Sequence, residues 1–294
     1  MNKIETKNPI VVRTLSELQN ALLKRKRKKP LGFVPTMGAL HAGHVALVER
    51  ARSECGTVVA SIYVNPTQFG PKEDLSNYPR DIEGDTAKLT EAGCDILFFP
   101  GDGLMYPPGE STRVSVLGSL TEGLCAKSRP GHFTGVATVV IKLLNLVKPD
   151  KLYLGAKDAQ QVRVIGRSVA DLFLPVEVIE CPTVREFDGL AMSSRNAYLT
   201  TTERATAPIL HASLCEARER ILNGERDAGT VESFLKDSLL KGAGITIDYA
   251  VAVDSASLKP VRILSDEVLL AVAVKLGKAR LIDNIVVRLP EGGK

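Results

Sequence analysis

The chain has no CxxC pair, no GxxxxGK[ST] loop and no apolar run long enough to cross a bilayer. The longest uninterrupted apolar stretch in its C-terminal part, VLLAVAV at 268–274, is far short of the ~20 residues that a spanning helix needs. The first residues, MNKIETKNPI, include Glu5 and lack an apolar h-region, so no secretory signal is expected. Cys55, Cys94, Cys125, Cys181 and Cys215 are odd in number and widely spaced. They read as buried thiols in a reducing compartment, and the cytoplasm is the expected location. Without the P-loop pattern, a Walker-type phosphate site is excluded. What is present is an ordinary globular balance, 44% hydrophobic and 24% charged over 294 residues. That is one large domain or two ordinary ones, with enough surface to bury that no disulfide or metal staple is needed.

The net charge of +4 is local in origin. Six of the 38 cations lie in KRKRKK at 24–29, and the remaining 32 are outnumbered by 34 acids. The body is therefore not a basic, nucleic-acid-binding surface, and RNP-like aromatics are missing too. The run follows Leu15, Leu18 and Leu22, a helical spacing opened by the capping box Thr14-x-x-Glu17, and it precedes Pro30. Cations at a helix C-terminus favour its negative end, so a solvated helix end is the reading preferred over a polyanion patch.

After Pro30, strands are expected over 31–36, 57–65, 94–99, 151–155 and 175–180. Helices are expected over 44–54, 81–92, 136–147 and 158–172, with a Gly/Pro loop at 101–109. This alternation predicts βαβ units, hence a Rossmann-like parallel sheet with helices on both faces. Past 187 the style changes. Helices over 202–222 and 231–240 are followed by strands over 245–253, 268–276 and 279–287, which predicts a smaller α+β C-terminal domain. The expected division is 1–187 for the first domain and 188–294 for the C-terminal domain.

Only four histidines occur, and three fall in glycine-flanked segments: His41 and His44 in PTMGALHAGH, and His132 in RPGHF. The first segment leaves a strand and opens a helix, where an open parallel sheet binds ligands and a helix N-terminus favours phosphate. Gly38 and Gly43 let a backbone come close to a ligand. Nucleotide binding, plain turn chemistry at a helix start, and a metal pair lacking the H-E-x-x-H pattern all remain open from these residues alone. In GAKD, Gly155 permits close approach, Lys157 offers a point charge and Asp158 a ribose acceptor, although Asp158 would equally serve as a helix cap. Ser193, Ser194 and Arg195 could wrap phosphate oxygens or form an ordinary polar loop. Asn65 and Gln68 in NPTQF bring amides to a strand end, and Gln160 and Gln161 follow GAKD.

PTMGALHAGH, SIYVNPTQFG, RPGHFTGVATVV, LYLGAKDAQQ and CPTVREFDGLAMSSRNAYL, in this order from 35 to 199, together resemble the pantoate–β-alanine ligase family. HxGH by itself resembles the wider nucleotidylyltransferase superfamily, and MSSR is similar to that superfamily's KMSKS loop. The resemblance departs at Ala156, where relatives often carry Glu or Gln; the position is expected to tolerate the change.

The resemblance implies two half-reactions. Pantoate carboxylate attacks the α-phosphorus of ATP and releases pyrophosphate; the amine of β-alanine then attacks the acyl carbon and releases AMP. It further implies His44, His41 and Lys157 as catalytic residues. Met37, Gly38, Ala39, Leu40, Ala42 and Gly43 would lie along ATP, with Gly155, Ala156, Asp158, Val184, Met192, Ser193, Ser194 and Arg195. Gln68, Gln161, Arg129 and His132 would bind pantoate or β-alanine, with Tyr78 near the mouth. The resemblance implies Mg²⁺ carried by the ATP phosphates rather than a protein metal site, a homodimer, and a C-terminal domain acting as a lid. Two rivals are a nucleotidyltransferase acting on a phosphorylated substrate and an RNA-binding module using KRKRKK. Neither nucleic acid nor membrane is an expected partner.

Overall fold

A computed structural model describes residues 8–24, 29–70, 75–76 and 78–289. In chain order the elements are β1 (Ile10–Val12), α1 (Leu15–Leu23), β2 (Leu31–Thr36), α2 (Ala42–Glu54), β3 (Thr57–Ile62) and α3 (Ile82–Glu91). They continue with β4 (Ile96–Phe98), α4 (Asp102–Met105), α5 (Cys125–Ser128), α6 (His132–Val147), β5 (Lys151–Gly155), α7 (Ala159–Asp171) and β6 (Glu177–Cys181). The remainder is α8 (Thr201–Thr206), α9 (Ile209–Leu222), α10 (Ala228–Leu239), β7 (Ile245–Asp254), β8 (Glu267–Leu276) and β9 (Ala279–Arg288).

The first six strands form one sheet in the order β1-β4-β3-β2-β5-β6, with every pairing parallel. Chain order runs outward from β2 through β3 to β4 on one side, and through β5 to β6 on the other. The β2/β5 seam is thus the switch point of a doubly wound sheet, where the carboxyl ends of the strands leave a crevice. Residues alternate across the sheet as the pleat requires. Val34, Val58, Ala60 and Ile62 pack with Leu47, Val48 and Ala51 of α2 and Leu89 of α3. Phe33, Val59 and Ser61 alternate with them and are fully buried as well. The Rossmann-like parallel sheet expected from the alternation is therefore what forms, joined by the smaller α+β part.

That second sheet is antiparallel in the order β7-β8-β9. Leu214, Ala217 and Ile221 of α9 and Val231, Leu235 and Leu239 of α10 share one core with Val268, Leu270, Val272, Leu281 and Val287 of the sheet. By contacts the chain divides into one compact unit of residues 1–116, 129–156 and 164–182, and a second of 117–128, 157–163 and 183–294.

Several boundaries differ from expectation for identifiable reasons. The single helix expected over 202–222 is two, because Pro208 cannot donate in a helix interior; α9 restarts behind it with Pro208 at its N-terminus. The helix expected from 136 begins at His132, since Gly131 takes a left-handed φ of 80° and turns the chain into it. The strand expected over 57–65 stops at Ile62, and Pro66–Gln68 forms a single 3-10 turn. The loop at 101–109 includes α4. β1, too short to show a period, was not legible. The Thr14/Glu17 capping box is present. α1 ends at Leu23 with Lys24 as its cap and no cation in its last turn, so the basic run begins only as the helix stops; residues 25–28 of that run lie outside the described residues. Four cysteines are buried as expected, but Cys215 is only partly so.

Candidate active site

The β2–α2 connection is shaped by a buried carboxylate 45 residues away. Gly38 has φ +86° and Ala39 φ +51°, so consecutive backbone N–H groups turn to one side. Asp85, 1% exposed on α3, accepts from the N–H of Ala39 at 2.8 Å and of Leu40 at 2.7 Å. Lys88 donates to the carbonyl of Leu40 at 2.8 Å, which neutralises the same corner. A Cβ at Gly38 would lie 3.1 Å from Asp85 Oδ2, so glycine serves both the turn and the approach.

The two histidines cap α2 reciprocally. His41 Nδ1 accepts from the N–H of Gly43 at 3.1 Å, and His44 Nδ1 accepts from the N–H of His41 at 3.4 Å. Their ring centroids are 4.1 Å apart. An imidazole that accepts at Nδ1 carries its proton on Nε2. The caps therefore set both rings to the tautomer whose Nε2–H is a donor, at the end of a helix whose first N–H groups favour anions. The turn chemistry at a helix start, one of the readings left open by the sequence, is present in these bonds.

Beside this loop, at the end of β3, Asn65 is 1% exposed. Its Nδ2 donates to Gln68 Oε1 and to the carbonyl of Gly135, and its Oδ1 accepts from Tyr106 Oη at 2.8 Å. Gln68 Nε2 lies 2.8 Å from Met37 Sδ. His132 Nδ1 meets the carbonyl of Gln68 at 2.8 Å, and Arg129 reaches His132 Nε2 at 3.0 Å. The structure thus brings Met37 through His44, Gln68, Arg129 and His132 to one rim, with Arg129 and His132 gripping the backbone that carries Gln68. Tyr78 is buried edge-on against Phe69. Across the β2/β5 seam, Gly32 pairs with Lys151 and Phe33 with Leu152. Continued along the strands, that register sets Gly155 level with Thr36, and Ala156 follows it.

The second unit holds the other expected residues. Lys157 and Asp158 lie in the 3-10 turn Ala156–Asp158, and the carbonyl of Lys157 accepts from Asn284 Nδ2 at 2.8 Å. Burial pushes the Lys157 ammonium below the ordinary lysine value and Arg195 acts in the same direction, against Asp158 and Asp283. Arg195 and Lys157 therefore belong to one electrostatic neighbourhood. Val184 and Met192 face each other across a narrow loop, with the N–H of Met192 donating to the carbonyl of Val184 at 3.0 Å. Ser193 caps the turn Ser194–Tyr198, its Oγ accepting from the N–H of Arg195. Gln161 is half-buried on the first turn of α7. Its neighbour Gln160 is consumed structurally by the N–H of Cys125 and the carbonyls of Leu120 and Gly123.

Asp85, Gly135, Asp283 and Asn284 escaped the sequence reading. Each acts on residues far along the chain, and none sits in a local pattern. Among the described residues no group of three or more His, Cys, Asp or Glu side chains is arranged to hold a metal ion, and no helix is long and apolar enough to cross a membrane.

A family model described as pantoate-beta-alanine ligase matches residues 10–286. The pantothenate synthetase of Thermotoga neapolitana is 51% identical over 277 residues, covering 94% of this chain and 99% of the relative. That of Heliobacterium modesticaldum is 52% identical over 261 residues, covering 89% and 92%. Among solved structures, pantothenate synthetase from Thermus thermophilus matches with a TM-score of 0.89 at 47% identity, over 94% of this chain and 98% of that one. A pantoate-beta-alanine ligase from Francisella tularensis, solved in complex with beta-gamma ATP and beta-alanine, matches with a TM-score of 0.76 at 35% identity, over 95% and 97%. With its doubly wound sheet, its paired imidazoles at the β2 end and this likeness over nearly its whole length, the chain belongs to the pantoate-beta-alanine ligase family.

Proposed function

We propose that the HxGH rim is where this chain, an ATP-dependent ligase of pantoate and β-alanine, first adenylates its acid and then couples it to the amine. The observation that carries the proposal is the reciprocal capping of His41 and His44, which makes two Nε2–H donors at a helix N-terminus. Pantoate and triphosphate are both anions and repel each other in water. Donors fixed in advance where charge accumulates lower that barrier without reorganising.

In this reading the backbone and side chains from Met37 to His44 run along the nucleotide. His44 donates to the α-phosphate region as the carboxylate attacks and pyrophosphate leaves, and His41 assists. Lys157, Ser193, Ser194 and Arg195 hold the outer phosphates. Gly155, Ala156 and Asp158 line the ribose side, and the backbone of Val184 and Met192 the adenine. Gln68 and Gln161 bind the hydroxyl and carboxylate oxygens of pantoate, with Arg129 and His132 fixing the backbone of Gln68. The depressed ammonium of Lys157 suits this role, because an approaching phosphate restores the charge that burial disfavours. In the second step the amine attacks the acyl carbon and AMP departs. Imidazole, amide, hydroxyl and ammonium donors suit phosphate oxygens rather than a divalent cation, so Mg²⁺ comes bound to the triphosphate.

The division 1–187 and 188–294, with the C-terminal part as lid, belongs to the same reading, as do a homodimer and a cytoplasmic location. Sedimentation of the purified chain tests the dimer. The decisive assay for the reaction is ATP–pyrophosphate exchange across a series of carboxylic acids. Pantoate alone should support exchange, and adding β-alanine should release AMP. A nucleotide retained in the product would instead favour a nucleotidyltransferase.

A further inference from the structure

Asp283 and Asn284 are consecutive residues in the middle of β9, opposite Val272 and Ala271 of β8. Both are buried, at 2% and 9% exposure, in a sheet whose central strand is almost wholly apolar. Successive strand residues point to opposite faces. On one face Asp283 receives Arg185 in a two-pronged ion pair, Nη1 at 2.6 Å and Nη2 at 3.0 Å. Arg185 also donates to the carbonyl of Gly189 at 3.0 Å, so the pair clamps the loop that runs from Val184 to Met192 and into Ser193–Arg195. On the other face, Asn284 Nδ2 donates to the carbonyl of Lys157.

A buried carboxylate in the same row as Leu281 and Val287 is poor economy for stability. Well-packed apolar residues in place of such a pair commonly do as well or better. The pair makes sense if the position of what it holds matters. Resting on the functional reading above, we infer that Asp283 and Asn284 are positioning residues for adenylation, one β-strand holding from its two faces the Lys157 turn and the Ser193–Arg195 loop. Neither touches the reacting atoms; each sets the backbone of a segment that does. Because Asp283 and Asn284 are neighbours on a rigid strand, the two segments keep a common frame.

The test separates the half-reactions in the full-length chain. Asn284→Ala and the isosteric Asn284→Asp both remove the donor to Lys157. Each should lower kcat/KM for ATP in pantoate-dependent ATP–pyrophosphate exchange by about tenfold, the scale of a sub-ångström misplacement. Conversion of supplied pantoyl adenylate and β-alanine to product should fall distinctly less than exchange does, because the adenylate lacks the outer phosphates that Lys157 would hold. Asp283→Asn and Arg185→Met should each reduce exchange, and the double variant should be no worse than the poorer single one, as expected for partners in one interaction. If Asp283→Asn does not fold, the Asn284 variants decide, since they leave the ion pair intact. Equal losses in both half-reactions, or wild-type exchange in Asn284→Asp, would overturn the inference. Absence of pantoate-dependent exchange in the unaltered chain would instead overturn the functional reading.

Discussion

The buried carboxylate of Asp85 accepts a 2.7 Å hydrogen bond from the backbone N–H of Leu40, with Ala39 bonded to its other oxygen. The loop before His41 has no secondary-structure ladder of its own, so these bonds set its path. Asp85→Asn keeps one acceptor and turns the other position into a donor facing an N–H group. Stability should fall by about 1–3 kcal/mol, and the rate of adenylation with it. Urea denaturation gives the first quantity and pyrophosphate exchange the second; an unchanged midpoint would show that the loop holds itself.

Gly135 of α6 lies against the turn that carries Gln68. A Cβ there would be 2.4 Å from the carbonyl oxygen of Thr67 and 2.8 Å from Gln68 Cα, both rigid backbone atoms. Gly135→Ala should therefore push Gln68 away, raising KM for pantoate about tenfold and costing about 1–3 kcal/mol. Gly166, in α7 with nothing within 4 Å of its added Cβ, is the control. Gly166→Ala should stabilise the chain by about 0.5–1 kcal/mol through helix propensity. Thermal melts of the two variants should move in opposite directions.

His44→Ala removes one of the paired donors and leaves the sheet untouched. Exchange should fall by about two to four orders of magnitude, with the far-ultraviolet dichroism spectrum unaltered. Normal turnover would remove His44 from the mechanism. Gln161→Ala should weaken pantoate binding and spare ATP; a collapse of ATP affinity instead would move Gln161 to the nucleotide.

Glu54, at the end of α2, bonds Lys151 at 2.9 Å, Tyr153 at 3.0 Å, and Arg50. These partners, Lys151 foremost, hold its carboxyl down at about 2. A carboxyl that is more acidic folded than unfolded stabilises the fold above its unfolded value of about 4.3 and loses that contribution as pH falls toward 2. Glu54→Gln should therefore be less stable than the unaltered chain at pH 7. The gap should narrow steadily between about pH 4.5 and 2, which denaturation midpoints across that range would record. A gap independent of pH would mean that packing, not charge, is what the substitution removes.

Much of this architecture is written in local pattern. The alternation of β-branched runs with helices of about a dozen residues sufficed for a parallel sheet, because a strand buried on both faces has few other ways to read. Thr14 and Glu17 announced a helix start that is present, since a capping box involves only neighbours in the chain. Pro208 inside an apolar-periodic stretch was a visible break, and the expectation of one helix there passed over it. PTMGALHAGH pointed to a ligand rim because the strand, turn, helix start and imidazoles it needs lie within ten residues.

What decided the working geometry of that rim lies elsewhere in the chain. Asp85 looks like any acid in the first turn of a helix, Gly135 like an indifferent small residue, and Asp283–Asn284 like a polar interruption of a strand. Composition and period settle which segments are helices and strands, because those preferences act over a few neighbouring residues. The fixing of a loop by a carboxylate 45 residues away, or of Lys157 by an amide 127 residues away, exists only once the core has packed. Its energy belongs to a pair of distant groups and to neither sequence neighbourhood alone.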